Sequence, residues 1–236
     1  KGKEGFVSSL TEHFPEERTN LEAYVNAVYR LTDETDLFYL RPSNDFFPVH
    51  SEEFNLAADA FIAKYIQNPK LRNVVAYMNP LYGGMADATP AYVHAIVSVL
   101  YMQGASRFVG GSDRFAQLLV SVIESAGGEV RCNEGAEWVE VNNRHVDYVR
   151  STKGQEYRAD HYISAIHPCT LLPLLSEKAF PKAYRTRLND IPNAYSAFSV
   201  YVKFKPETFP YINHSEYYMT RYDEVWHFDE PHDTWP

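Results

Sequence analysis

The periodicity of the chain changes once, at Gly110-Gly111, and that change limits the folds open to it. Before it, apolar residues recur every three to four positions; beyond the helix that follows it, they recur every second position. Leu21, Tyr24, Val25, Val28 and Leu31 fall at helical spacing after Pro15, which predicts a long amphipathic helix over 16–40. Ser51, with Glu52 and Glu53 in a first turn, predicts a second helix carrying Phe54, Leu56, Ala57, Phe61, Ile62, Tyr65 and Ile66. Pro69 restarts a third helix through Met78. After a loop over 79–89, Pro90 at the first helical position leads a strongly apolar fourth helix over 91–102.

At the switch, Gly110-Gly111-Ser112-Asp113 sets two permissive residues before a good N-cap. The next helix carries Phe115, Leu118, Leu119, Val122 and Ile123 and stops at Gly127-Gly128. Short strands are then predicted over 129–132, 138–141 and 146–149, with Asn142-Asn143 as the tight turn between the last two. Lys153-Gly154 makes the next turn. The stretch 157–166 continues the meander and ends in Tyr162-Ile163-Ser164-Ala165-Ile166, the pattern of a strand buried on both faces. Short helices over 171–175 and 182–188 precede an alternating strand, 197–204, with a partner at 216–221. The expected fold class is α/β, of an α+β-like kind. It divides into a mostly helical part over 1–109, a helix plus β-meander over 110–175, and a return through helices and strands over 176–236.

Composition excludes several classes of function. Hydrophobic residues make up 45% and charged residues 22% of the 236, the profile of a folded globular chain. The 22 Lys and Arg against 31 Asp and Glu give a net charge of -9, and no window gathers a basic patch, so nucleic acid is not an expected partner. The same balance disfavours attraction to an anionic membrane. The longest apolar run, 91–102, is interrupted by His94 and too short to span a bilayer, so the expectation is no transmembrane segment, with room left for peripheral membrane contact. Cys132 and Cys169 lack CxxC spacing and fit reduced thiols, hence a cytoplasmic protein. Neither GxGxxG nor GxxxxGK[ST] occurs, and no repeat or low-complexity stretch is present. Lys1 is not an initiating Met and no signal-peptide pattern follows it, so the chain reads as a piece of a longer protein.

The series Gly-Gly, helix, Gly-Gly-Glu-Val-Arg, meander and Tyr157-Arg158-Ala159-Asp160-His161-Tyr162-Ile163-Ser164-Ala165 resembles the flavin-dependent oxidoreductases of the phytoene desaturase, carotenoid isomerase and retinol saturase group. Pro80-Leu81-Tyr82-Gly83-Gly84, Pro90, His94 and Gly104-Ala105-Ser106-Arg107-Phe108-Val109 are similar to the same group's stretch between substrate and flavin domains. The likeness covers roughly Asn73 to Leu175. It implies a helical substrate domain joined to part of a glutathione-reductase-like FAD domain. It further implies FAD as cofactor and hydride exchange with a carbon-carbon bond of a hydrophobic, polyene-like (carotenoid- or retinoid-like) small molecule. By that resemblance Gly110 and Gly111 enter the flavin domain, Ala136 lies by the adenine through its backbone, and Ser164 and Ala165 close a strand near the dinucleotide. The group's glycine-rich pyrophosphate loop precedes all of this and is not in the sequence. The resemblance therefore implies a fragment that is inactive and does not retain FAD, with apolar surface that promotes self-association.

Tyr82, Tyr92 and Tyr101 are candidates to line a substrate tunnel, weighed against core or surface roles among 18 tyrosines. No metal is expected: His227 and His232 in Trp226–Asp233 flank Pro231 at a spacing that suits a solvated acidic loop better than zinc. His167 and Cys169, two apart without a nucleophile elbow, do not make a catalytic pair. No catalytic residue is identified. The alternatives to the polyene enzyme are a non-catalytic lipid- or protein-binding domain and an amine-oxidising flavoenzyme on the same scaffold.

Overall fold

The computed structural model describes residues 1–42, 48–176, 179–219 and 225–227, and the chain forms two units, 1–106 with 194–236 and 107–193. In the first unit, α1 (Gly2–Thr11) and a 3-10 turn (Pro15–Glu17) lead into α2 (Arg18–Asp33). A second 3-10 turn (Asp36–Tyr39), α3 (Ala58–Tyr65), α4 (Pro69–Val75), α5 (Asn79–Tyr82) and α6 (Ala91–Gln103) follow.

The packing of α2 on α6 makes the core. Leu21, Tyr24, Val25, Val28 and Leu31 recur at i, i+3, i+4 and i+7 along α2 and are fully buried. Ala91, Ala95 and Ser98 give α6 a small-residue face, and Phe61, Ile62, Leu71, Val225 and Trp226 close the same core. A carboxylate organises the start of α4. Buried Glu17 accepts the backbone N–H groups of Gln67 and Asn68 and the Asn20 amide, while the Asn68 side chain caps Lys70 and Leu71.

The helix expected from Ser51 begins only at Ala58. Over 54–58 the backbone is committed elsewhere: Phe54 and Leu56 carbonyls accept Tyr92 N–H and Ala91 N–H, and Ala58 N–H donates to Thr89 at 2.7 Å. A helix there would forfeit these bonds. The run predicted over 16–40 is likewise divided, because Glu34 and Thr35 leave α2 and Leu40 adopts φ 52° after the second 3-10 turn.

The second unit holds α7 (Asp113–Ser125) and an antiparallel meander of β1 (Ala136–Asn142), β2 (His145–Ser151) and β3 (Glu156–Tyr157). It ends with α8 (Pro168–Leu171), a 3-10 turn (Leu172–Leu174) and α9 (Lys182–Asp190). Val139 pairs with Val149 and Asn142 with His145. The hairpin turn is Asn143-Arg144, one residue beyond the expected Asn142-Asn143, and both take positive φ, 49° and 66°. Mixed α and β content is as expected, with the sheet limited to three strands among the described residues.

Four predicted strands are not strands here, the partner at 216–221 among them over its described residues 216–219. Residues 129–132 and 158–166 are irregular, and Ile163 is 96% exposed rather than buried on both faces. Residues 197–204 form no regular element. An alternating pattern states a preference for pairing, but a ladder requires a strand partner, and none of the described strands pairs with these stretches. Residues 220–221 of the expected partner strand and 228–233 of the acidic cluster lie outside the described residues.

Candidate functional site

The meander of the second unit builds an open apolar cleft of about 870 Å³. Val139 and Val141 of β1 and Val146 and Val149 of β2 form its floor, with Leu171, Leu174, Leu175 and Phe180 along one wall. Val139 also bridges to Leu175, which fixes that wall against β1. Three residues expected at a cofactor meet here: Ala136 at the start of β1, and Ser164 and Ala165 in the segment leading to α8. The cleft therefore gathers parts 28 and 29 positions apart in the chain.

Gly110 and Gly111 are not among its lining residues. They precede α7 at φ 91° and 100°, conformations that glycine adopts without strain. A Cβ on Gly111 would meet Asp113 Oδ1 at 3.0 Å, so an acidic side chain occupies the mouth of this turn. The pair forms the turn that leads into α7.

The helical unit holds a buried polar network that the sequence announces only as an interruption in an apolar run. His94 of α6 is completely buried, with Tyr24 Oη 2.6 Å from Nε2, Tyr82 Oη 3.2 Å from Nδ1 and Ser98 Oγ at 3.5 Å. Burial pushes the imidazole pKa down to about 4, so it is neutral at pH 7. Burial pushes both phenols far above their ordinary value, so they remain protonated. A neutral imidazole offers one donor and one acceptor, so one tyrosine donates to it and the other accepts from it.

The three tyrosines proposed for a substrate tunnel are not brought together. Tyr82 closes α5 against His94; Tyr92 stacks on Phe54 with ring centroids 4.5 Å apart. Tyr101 stands nine residues after Tyr92 on α6, on the opposite side of the helix. Asn79 continues the network: its side-chain amide donates to the Gly84 and Val225 carbonyls, and its backbone carbonyl accepts Tyr195 Oη at 3.2 Å. His167 accepts the Cys169 N–H at 3.3 Å, which makes it the cap of α8. Among the described residues no group of three or more His, Cys, Asp or Glu could hold a metal, and no helix is long and apolar enough to cross a membrane.

Residues 28–228 match the family model of flavin containing amine oxidoreductases, and the chain belongs to that family. Its members are flavin-dependent oxidoreductases. No curated protein matches the chain. The crystal structure of the PF1083 protein from Pyrococcus furiosus is similar at 16% identity and a TM-score of 0.48, over 70% of this chain. The chain spans 39% of that protein's length.

A flavin fits the residues present only in part. The meander cleft offers apolar walls and the backbone of Ala136, Ser164 and Ala165, suited to an uncharged aromatic ring. A dinucleotide's pyrophosphate needs converging backbone amides at a glycine-rich turn, which the sequence lacks and the Gly110-Gly111 turn does not replace. The described residues alone do not hold the whole group.

Proposed function

We propose that this chain supplies the helical substrate-facing part and the β-meander of an FAD-dependent oxidoreductase acting on a carbon-carbon bond of a hydrophobic, polyene-like molecule. The observation that carries the flavin assignment is the family match across 28–228, which spans parts of both units. When bound, the flavin supplies the hydride acceptor or donor; the protein supplies orientation and an apolar surrounding. The apolar character of the substrate rests on the resemblance over Asn73 to Leu175 and is in keeping with the apolar cleft of the meander.

Oxidation of a carbon-nitrogen bond is the second candidate, favoured by the family's description as amine oxidoreductases. Anaerobic mixing of the flavin-loaded whole protein with retinoid- or carotenoid-type polyenes and, separately, with primary and secondary amines distinguishes them. Flavin bleaching by polyenes alone supports the first assignment. Bleaching by amines alone replaces it with the second.

A further inference from the structure

A series of phenols in the first unit leads from its surface to its centre. Tyr217 is 45% exposed, and its ring meets that of Tyr77 edge-on with centroids 4.9 Å apart. Tyr77, in the turn between α4 and α5, is half-buried and stands close enough to Tyr24 that its charge raises the Tyr24 pKa. Tyr24 is wholly buried, with Oη 2.6 Å from His94 Nε2. That shorter phenol contact on His94 is an O–H on the ring lone pair, which leaves Nδ1–H to donate to Tyr82 Oη at 3.2 Å. A phenol already hydrogen-bonded to a base gives up an electron more easily than one in apolar surroundings, because its proton leaves with the electron and no buried phenol cation forms.

We infer that Tyr24 with His94 is a redox site, at which an oxidising equivalent that reaches Tyr217 comes to rest as a buried tyrosyl radical. The oxidant is a diffusible radical of the azidyl or peroxyl class, which takes one electron from Tyr217 and leaves as its anion, while the Tyr217 phenol proton passes to water. An electron then moves from Tyr24 across the Tyr77 ring to Tyr217, which regains its proton from water. At Tyr24 the O–H bond breaks and an N–H bond forms at His94 Nε2, leaving a neutral radical beside an imidazolium. An oxidised phenol is a far stronger acid than imidazolium, so the proton crosses even though burial weakens His94 as a base. Burial also keeps the radical from coupling with a tyrosyl of another chain. One electron from an ascorbate-class reductant reverses the step and draws the proton back to Oη. The path uses only residues of the first unit and needs no bound flavin.

Pulse radiolysis of the whole chain in azide solution, followed by absorption and by electron paramagnetic resonance of frozen samples, tests this. The expected result is a tyrosyl radical that outlives that of Y24F at least tenfold and whose reduction by ascorbate is at least twofold slower in heavy water. Y77L, which removes the bridging ring, should slow its arrival at least tenfold, and Y148F, in the second unit, should change neither. A radical no longer-lived than that of Y24F, one that stays on tryptophan, or one that couples chains through surface tyrosines equally in the parent and in Y24F would overturn the inference. Should Y24F or Y77L fail to fold by circular dichroism, isotopic labelling of histidine nitrogen in the unaltered chain decides: a radical coupled to that nitrogen supports the assignment, and one without the coupling overturns it.

Discussion

Tyr24 Oη lies 2.6 Å from His94 Nε2, joining α2 to α6 across 70 residues of sequence inside a core that excludes solvent from both. Tyr24→Phe removes one hydroxyl and leaves a buried ring nitrogen short of its partner. We expect a loss of about 1–3 kcal/mol in urea unfolding followed by far-ultraviolet circular dichroism. A variant as stable as the parent contradicts a satisfied network here.

The same histidine makes stability pH-dependent. Its pKa is about 4 when folded against 6.5 ordinarily, so the unfolded chain binds the additional proton. Stability conferred by the neutral imidazole is complete above about 6.5, falls as pH drops toward about 4, and levels below it. His94→Gln, which does not titrate, should flatten this slope. An unchanged pH profile in that variant contradicts the assignment.

Glu53 should add a second, lower step. Burial raises its pKa, but hydrogen bonds from Lys64, Tyr65 and Arg30 outweigh that and hold it below its ordinary 4.5. Its contribution is present above 4.5 and is lost as pH falls further. Because both cations are half exposed, Glu53→Gln should cost only about 1 kcal/mol at pH 7, read from the unfolding midpoint.

Gly84→Ala should be among the most damaging single changes. A Cβ there would sit 1.4 Å from Asn79 Oδ1, and Asn79 is fully buried while bonded to the Gly84 and Val225 carbonyls. The expected cost is about 2–4 kcal/mol, combining overpacking with displacement of a buried amide. Since the two positions touch, Gly84→Ala with Asn79→Ala should cost less than the sum of the two single changes.

The apolar face of α7 predicts the opposite. Phe115, Leu118, Leu119, Val122 and Ile123 are all exposed, so Leu118→Glu should change the stability of this chain by less than about 0.5 kcal/mol. Val99→Glu, on the buried face of α6, should prevent folding of the helical unit. Similar losses for both would mean that α7 is covered in solution.

Local signals carried the helices and the hairpin; distant partners decided the rest. Paired glycines bracket α7 and Asn143 supports the hairpin turn, because caps and turns are settled by the residues that form them. The stretch 51–57 carried a sound helix-start pattern, yet pairing with 89–92 took its backbone. The runs 158–166 and 197–204 alternate yet form no ladder among the described residues, since alternation does not provide the neighbour. The site divided in the same way. Ala136, Ser164 and Ala165, named from the ordered series, line one cleft. His94 was visible only as a polar break, because its partner lies 70 residues upstream and no spacing rule connects them.

Visible absorption of the whole protein, purified without added cofactor and again after incubation with FAD, tests the central proposal most directly. Flavin bands near one equivalent per chain are predicted for the whole protein, and none for residues 1–236 alone, whose sequence lacks the pyrophosphate loop. A folded, colourless whole protein that takes up no FAD would contradict the flavin-enzyme account and leave a binding domain in its place.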